Sequence, residues 1–126
     1  MAAAWFEGCR MHEVFRDCLG HLAWADGMLF DDEVECLGGL LTEMQVPVEM
    51  QQRVLQHQPE LPSTPALRAA FQDSQSRRQL LSAAYRLAHI DNDPGEEEWA
   101  VVAHICQALE LPLGDWAQLQ DYLSRR

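Results

Sequence analysis

No lysine occurs in this 126-residue chain: all nine cationic side chains are arginine, against 20 Asp plus Glu, for a formal net charge of −11. Without lysine there is no Schiff-base chemistry and no phosphate-loop lysine, and the G-x-x-x-x-G-K pattern is absent. A pI near 4.6 argues against a nucleic-acid backbone or an anionic membrane surface as partner, because either would be repelled. Wholly apolar runs extend only a few residues, so no membrane insertion is expected. The stretch from Met1 to Phe6 lacks the basic start and the apolar length of a signal peptide. Also missing are Glu-x-x-His, H-E-x-x-H, G-x-S-x-G and G-x-G-x-x-G, which removes the usual marks of di-iron, metalloprotease, hydrolase and dinucleotide chemistry. The chain reads as a non-enzyme. Metal cations, basic peptides and basic protein faces remain as partners.

A hydrophobic content of 48% is enough for a core, so the acidity does not signal disorder. The length fits one domain, able to bury roughly two thirds of its unfolded surface. Cys9, Cys18, Cys36 and Cys106 are too few for a disulfide framework, and they suggest a cytoplasmic protein with reduced, mostly packed thiols.

An internal repeat is the most informative positive feature. At an offset of 65 residues, Leu22-Ala23-Trp24-Ala25-Asp26-Gly27 lies over Leu87-Ala88-His89-Ile90-Asp91-Asn92. Without a gap, Asp32-Glu33 meets Glu97-Glu98, Leu40 meets Ile105, Met44 meets Leu109, and Val46-Pro47-Val48 meets Leu111-Pro112-Leu113. Two copies are too few for a solenoid, so the expectation is a pseudo-twofold globular domain spanning 1–126. Its repeats cover about 12–57 and about 76–124.

Each copy reads as helices. Val14, Phe15, Cys18, Leu22 and Ala25 recur at three- and four-residue steps. Gly27 supplies a left-handed stop, with Asn92 in that role in the second copy. A helix from about Asp31 turns Val34, Leu37, Leu40, Leu41 and Met44 inward; its counterpart from about Glu96 does so with Trp99, Val102, Ile105, Cys106 and Leu109. Pro47 and Pro112 suit the first position of further short helices. Thr64 and Pro65 would open another, running to about Asp73, and a last one is expected from near Ser76 to Ile90. Period-two alternation is not sustained anywhere. The fold class is all-α, with seven or eight helices.

The acidic residues are gathered rather than spread. Asp26, Asp31, Asp32, Glu33 and Glu35 sit in one inter-helix turn region, and Asp91, Asp93, Glu96, Glu97 and Glu98 in the equivalent one. These are ten of the twenty acids; the other ten face nine arginines. First-turn acids are favourable with the helix dipole, by about 0.3–1 kcal/mol each, and Glu33 and Glu98 can reach back to a backbone N–H. Asp26 and Asp91 fall instead at helix ends, where the dipole disfavours negative charge. Local turn bonding accounts for such an acid, and so does a cation. If the helix pairs cross face to face, Asp26, Glu33, Asp91 and Glu98 converge, and hard oxygen ligands of this kind suit Ca²⁺, Mg²⁺ or Mn²⁺.

Leu22-Ala23-Trp24-Ala25-Asp26-Gly27, with Glu33 seven residues after the Asp, resembles the TerB-like domain of tellurite-resistance proteins. That fold is related to the N-terminal domain of DjlA-type membrane co-chaperones. The resemblance covers about residues 12–124 and implies a duplicated helical module with an Asp-Gly-x-x-x-x-x-Glu element in each half. It also implies divalent-metal binding and bacterial stress systems with partners that include membrane-associated proteins. Position by position, the metal pairs fall on Asp26 with Glu33 and on Asp91 with Glu98; Asp32, Asp93 and Glu97 are secondary candidates. This chain departs from the family at Phe30, where a capping Ser or Thr is usual, and at Asn92 and Pro94. Asp93 is therefore available in place of Asp91.

Other constellations carry less. Cys9-x-x-His12 and Cys18-x-x-His21 on one helix would face opposite sides, so a zinc site is not expected. His89 is expected to be a hydrogen-bonded structural residue, and Trp5, Trp24, Trp99 and Trp116 core or groove residues. A second functional class also fits: an acidic immunity or antitoxin-like protein masking a basic toxin face, since steering by net charge would speed either encounter.

Overall fold

Seven helices and no strand form among the described residues of the computed structural model, which cover 2–25, 27–90 and 94–125, with side chains from residue 11 onward. In order they are α1 (Ala2–Ala23), α2 (Asp31–Glu43), α3 (Val48–Gln56), α4 (Thr64–Ala70), α5 (Ser74–Ala88), α6 (Glu96–Ala108) and α7 (Trp116–Ser124). The all-α expectation holds, and the helix count falls in the expected range.

α1 is the central element, packing against α2, α3, α4, α5 and α6. Its inward stripe, Phe15, Cys18, Leu19 and Leu22, is fully buried, as the three- and four-residue spacing requires. α5 is the second hub, touching α1, α2, α6 and α7 through Leu80, Leu81, Ala84 and Leu87. α2 supplies Leu37, Leu40 and Leu41; α6 supplies Val102, Ile105 and Cys106. These residues join one continuous buried cluster that runs from α1 to Leu119 of α7. Each large side chain so buried contributes about 1.5–3 kcal/mol, well beyond any of the exposed ion pairs.

α2 and α6 have matching ends at the 65-residue offset. Each is 13 residues long. At their C-termini Gln45 and Glu110 take φ of 61° and 60°. Val46 N–H then bonds the Leu41 carbonyl at 2.9 Å, and Leu111 N–H bonds that of Cys106 at 2.8 Å. With Gln45 N–H to Thr42 and Glu110 N–H to Gln107, both ends close as Schellman motifs.

Several helix starts differ from expectation. Pro47 has ψ of 146° and precedes α3 as its N-cap instead of occupying the first helical turn. Pro112 lies in the loop before α7, because Asp115 accepts from Gln118 N–H at 2.8 Å and that cap starts the helix four residues later, at Trp116. The helix opened by Thr64 and Pro65 is capped by Ser63 and stops at Ala70; Asp73, expected at its end, caps α5 through Ser76 N–H at 2.7 Å.

Arginine side chains tie the ends together. Arg68 donates Nε to the Ala108 carbonyl at the end of α6 and a second N–H to Glu110. Arg77 Nε serves the Phe71 carbonyl at the end of α4.

Candidate functional site

The α1–α2 turn is built from the end of α1 outward. After Ala23 the chain turns through Trp24 and Ala25, and Gly27 N–H reaches the Trp24 carbonyl at 2.8 Å with Gly27 at φ 89°. Only glycine adopts that φ without cost, so the left-handed stop stands where the sequence placed it. Trp24 Nε1 donates to the Val54 carbonyl at 2.7 Å, and His21 Nδ1 donates to that of Pro59 at 2.8 Å. Both bonds anchor the root of the turn to α3 and the segment after it.

Phe30 is the N-cap of α2, with no side-chain acceptor to offer. Its own N–H donates to Glu33 Oε1 at 3.2 Å. In the second turn Gly95 N–H donates to Glu98 Oε2 at 2.8 Å, again from the N-cap to the third helical residue. This is the reach-back half of a capping box, present twice. Glu33 and Glu98 therefore serve their own helix starts. Asp31, Asp32, Glu35, Glu96 and Glu97 are exposed around them.

Of the sequence-derived metal candidates, Asp26, Asp91 and Asp93 lie outside the described residues, as does Asn92. Among the described residues no three His, Cys, Asp or Glu side chains come together as a cation site. Glu33 and Glu98 stand at equivalent positions in their turns, each oriented by the backbone amide it accepts from.

Apolar side chains share these turns. Met28 is 59% exposed, Phe30 48% and Ile90 43%, three of the four large exposed hydrophobic residues among those described. The acidic turns thus present apolar surface beside charge.

The remaining candidates behave as structural residues. His89 donates Nδ1 to the Tyr85 carbonyl at 2.8 Å, stacks on the Tyr85 ring at 4.0 Å and meets the edge of Trp116 at 4.9 Å. Trp99 completes this ladder against Trp116 at 5.0 Å. Cys18 is buried beside Asp17, and burial pushes its thiol far up; burial likewise lifts Cys106 to about 11. Cys36 is raised too, first by burial, with Arg86 opposing and Glu43 and Glu33 adding. Thiols held this way are poor metal ligands and poor nucleophiles. Cys9 lies among the residues whose side chains are not described.

One feature escaped the sequence. A groove of about 770 Å³ runs along α5 between the end of α2 and α7. Its floor includes Phe15, Leu40, Met44 and Leu123, and its walls carry Arg78 and Arg86. The spacing Arg78, Ser82, Arg86 on α5 was the available signal, one stripe of a helix at four-residue steps.

No family model matches the chain, and neither a curated protein nor a solved structure resembles it significantly.

Proposed function

We propose that this chain is a non-enzymatic, cytoplasmic binding module of TerB-like type, built from two copies of one helical unit, that docks a basic protein partner in a bacterial stress response. The observation that carries the reading is the make-up of the turn before α2: Met28 and Phe30 stand exposed beside Asp31, Asp32 and Glu35. Exposed apolar groups give contact energy and a surrounding acidic rim gives steering and selectivity. Phe30 strengthens the argument. A Ser, Thr or Asp at its N-cap position would be worth about 1 kcal/mol to α2, so a half-exposed aromatic there forgoes that capping energy.

The test is affinity capture from a bacterial extract at low salt, comparing the native chain with Phe30→Ser/Asp31→Asn/Asp32→Asn. The expected result is a basic protein retained by the native chain, released by salt and lost with the triple variant. Equal retention by both chains would overturn the reading.

A divalent cation at Asp26, Glu33, Asp91 and Glu98 is the second reading, favoured by the identical anchoring of Glu33 and Glu98. Titration with Ca²⁺, Mg²⁺ or Mn²⁺ should then raise the thermal midpoint beyond ionic-strength-matched NaCl. Asp26→Asn/Asp91→Asn should abolish the excess, and an excess that survives both changes removes these ligands from the account.

A further inference from the structure

The groove along α5 is lined by two arginines and one glutamate, a small positive excess where the turns carry only carboxylates. On a chain of net charge −11, its walls bring two guanidinium groups, Arg78 and Arg86, over an apolar floor of Phe15, Leu40, Met44 and Leu123. We propose that this groove receives an amphipathic helix of a partner protein that carries carboxylates beside its apolar stripe.

The two arginines are held differently. Arg78 lies over the Tyr122 ring at 5.0 Å and donates to the Arg125 carbonyl, which fixes its guanidinium against α7. Arg86 bridges Glu43 at 3.4 Å, with both side chains well exposed at 59% and 63%. Such a bridge is weak, worth about 0–1 kcal/mol, so an incoming carboxylate can exchange with Glu43 at little cost. Eight residues separate the two arginines, about 12 Å along a helix axis. Two acidic residues about seven apart on a partner helix match that span, while its leucine-like side chains enter the floor at three- and four-residue steps. The polar residues of α5 between the arginines, Gln79 and Ser82, line the groove. Elsewhere the acidic turns would repel the same helix, so charge complementarity selects this face.

The test uses a synthetic amphipathic peptide of about four turns, with leucines at helical spacing and glutamates about seven residues apart. Its counterpart has lysine at the glutamate positions. Backbone amide shift mapping with the acidic peptide should move Gln79, Ser82, Arg86 and Leu123. Arg86→Glu should weaken binding about tenfold or more, and Gln79→Trp, which fills the groove from its exposed wall, should abolish it. Both variants should remain folded and unfold cooperatively on heating. The Phe30→Ser/Asp31→Asn/Asp32→Asn chain should bind the peptide normally, so this result and the partner reading for the turns stand or fall separately. Equal binding of the lysine peptide, shifts confined to other surfaces, no loss with Arg86→Glu, or no binding of the acidic peptide at millimolar concentration would each overturn the proposal.

Discussion

Gly20 lies where α1 packs on α3. A Cβ built there would fall 2.8 Å from two carbons of Val54 and 2.9 Å from a ring carbon of Pro59. Val54 is buried, and its carbonyl accepts a side-chain bond from Trp24, as that of Pro59 does from His21. Gly20→Ala therefore has to move backbone that is already bonded. Gly39, in the middle of α2, has nothing within 4 Å of the same construction. The identical substitution should act with opposite signs at the two sites. Gly39→Ala should stabilise by about 0.5–1 kcal/mol through helix propensity, and Gly20→Ala should destabilise by about 1–3 kcal/mol through overpacking. Urea unfolding midpoints measure both; a neutral Gly20→Ala would show that α1 and α3 do not approach this closely. The absence of lysine has a local counterpart as well. Arg68 uses two nitrogens of one planar fork for the Ala108 carbonyl and Glu110, a geometry a lysine ammonium does not offer.

Gln45 is held at φ 61° to complete the Schellman end of α2, although it has a side chain and makes that turn at a steric cost. Gln45→Gly keeps both closing bonds and removes the cost, so a gain of about 0.5–1 kcal/mol in unfolding free energy is expected. A loss would mean that the Gln45 side chain has a contact of its own. Legibility at this level followed the strength of the local chemistry. The starts of α2 and α6 could be read because three acids open each helix and the third reaches back to the N-cap amide. The Pro112 assignment failed because proline only permits a helix start, whereas Asp115 enforces one by accepting Gln118 N–H. Asp73 was misplaced for the same reason: its carboxylate caps the helix after it and does not end the one before. The groove could not be read at all, since its lining comes from α1, α2, α5 and α7 and only packing brings them together. Of the candidate site, the capping role of Glu33 and Glu98 was legible, while the exposure of Met28 and Phe30 needed the fold.

A net charge of −11 on 126 residues makes self-repulsion a property of the whole molecule, concentrated in the two acidic turns. Acidification from neutrality moves the chain toward its pI near 4.6 and relieves that repulsion, which raises stability. An opposing effect enters lower down. The Ser76 backbone N–H and hydroxyl hold the Asp73 carboxylate below its usual range. A depressed folded value means the stabilisation is complete above the ordinary carboxylate value of about 4 and is lost as pH falls through the folded one. The two effects have opposite signs in different windows, so the thermal midpoint at low salt should rise from about pH 8 to about pH 5.5 and fall below about pH 4. Salt near 0.2 M shortens the screening length to under about 10 Å and should flatten the upper limb. Asp73→Asn should reduce the steepness of the acid limb alone. A midpoint that declines steadily from pH 8 to pH 5.5 at low salt would contradict the repulsion account. The ten acids of the two turns would then have to be compensated within the folded chain, by a bound cation or by bonds that the turns make to themselves.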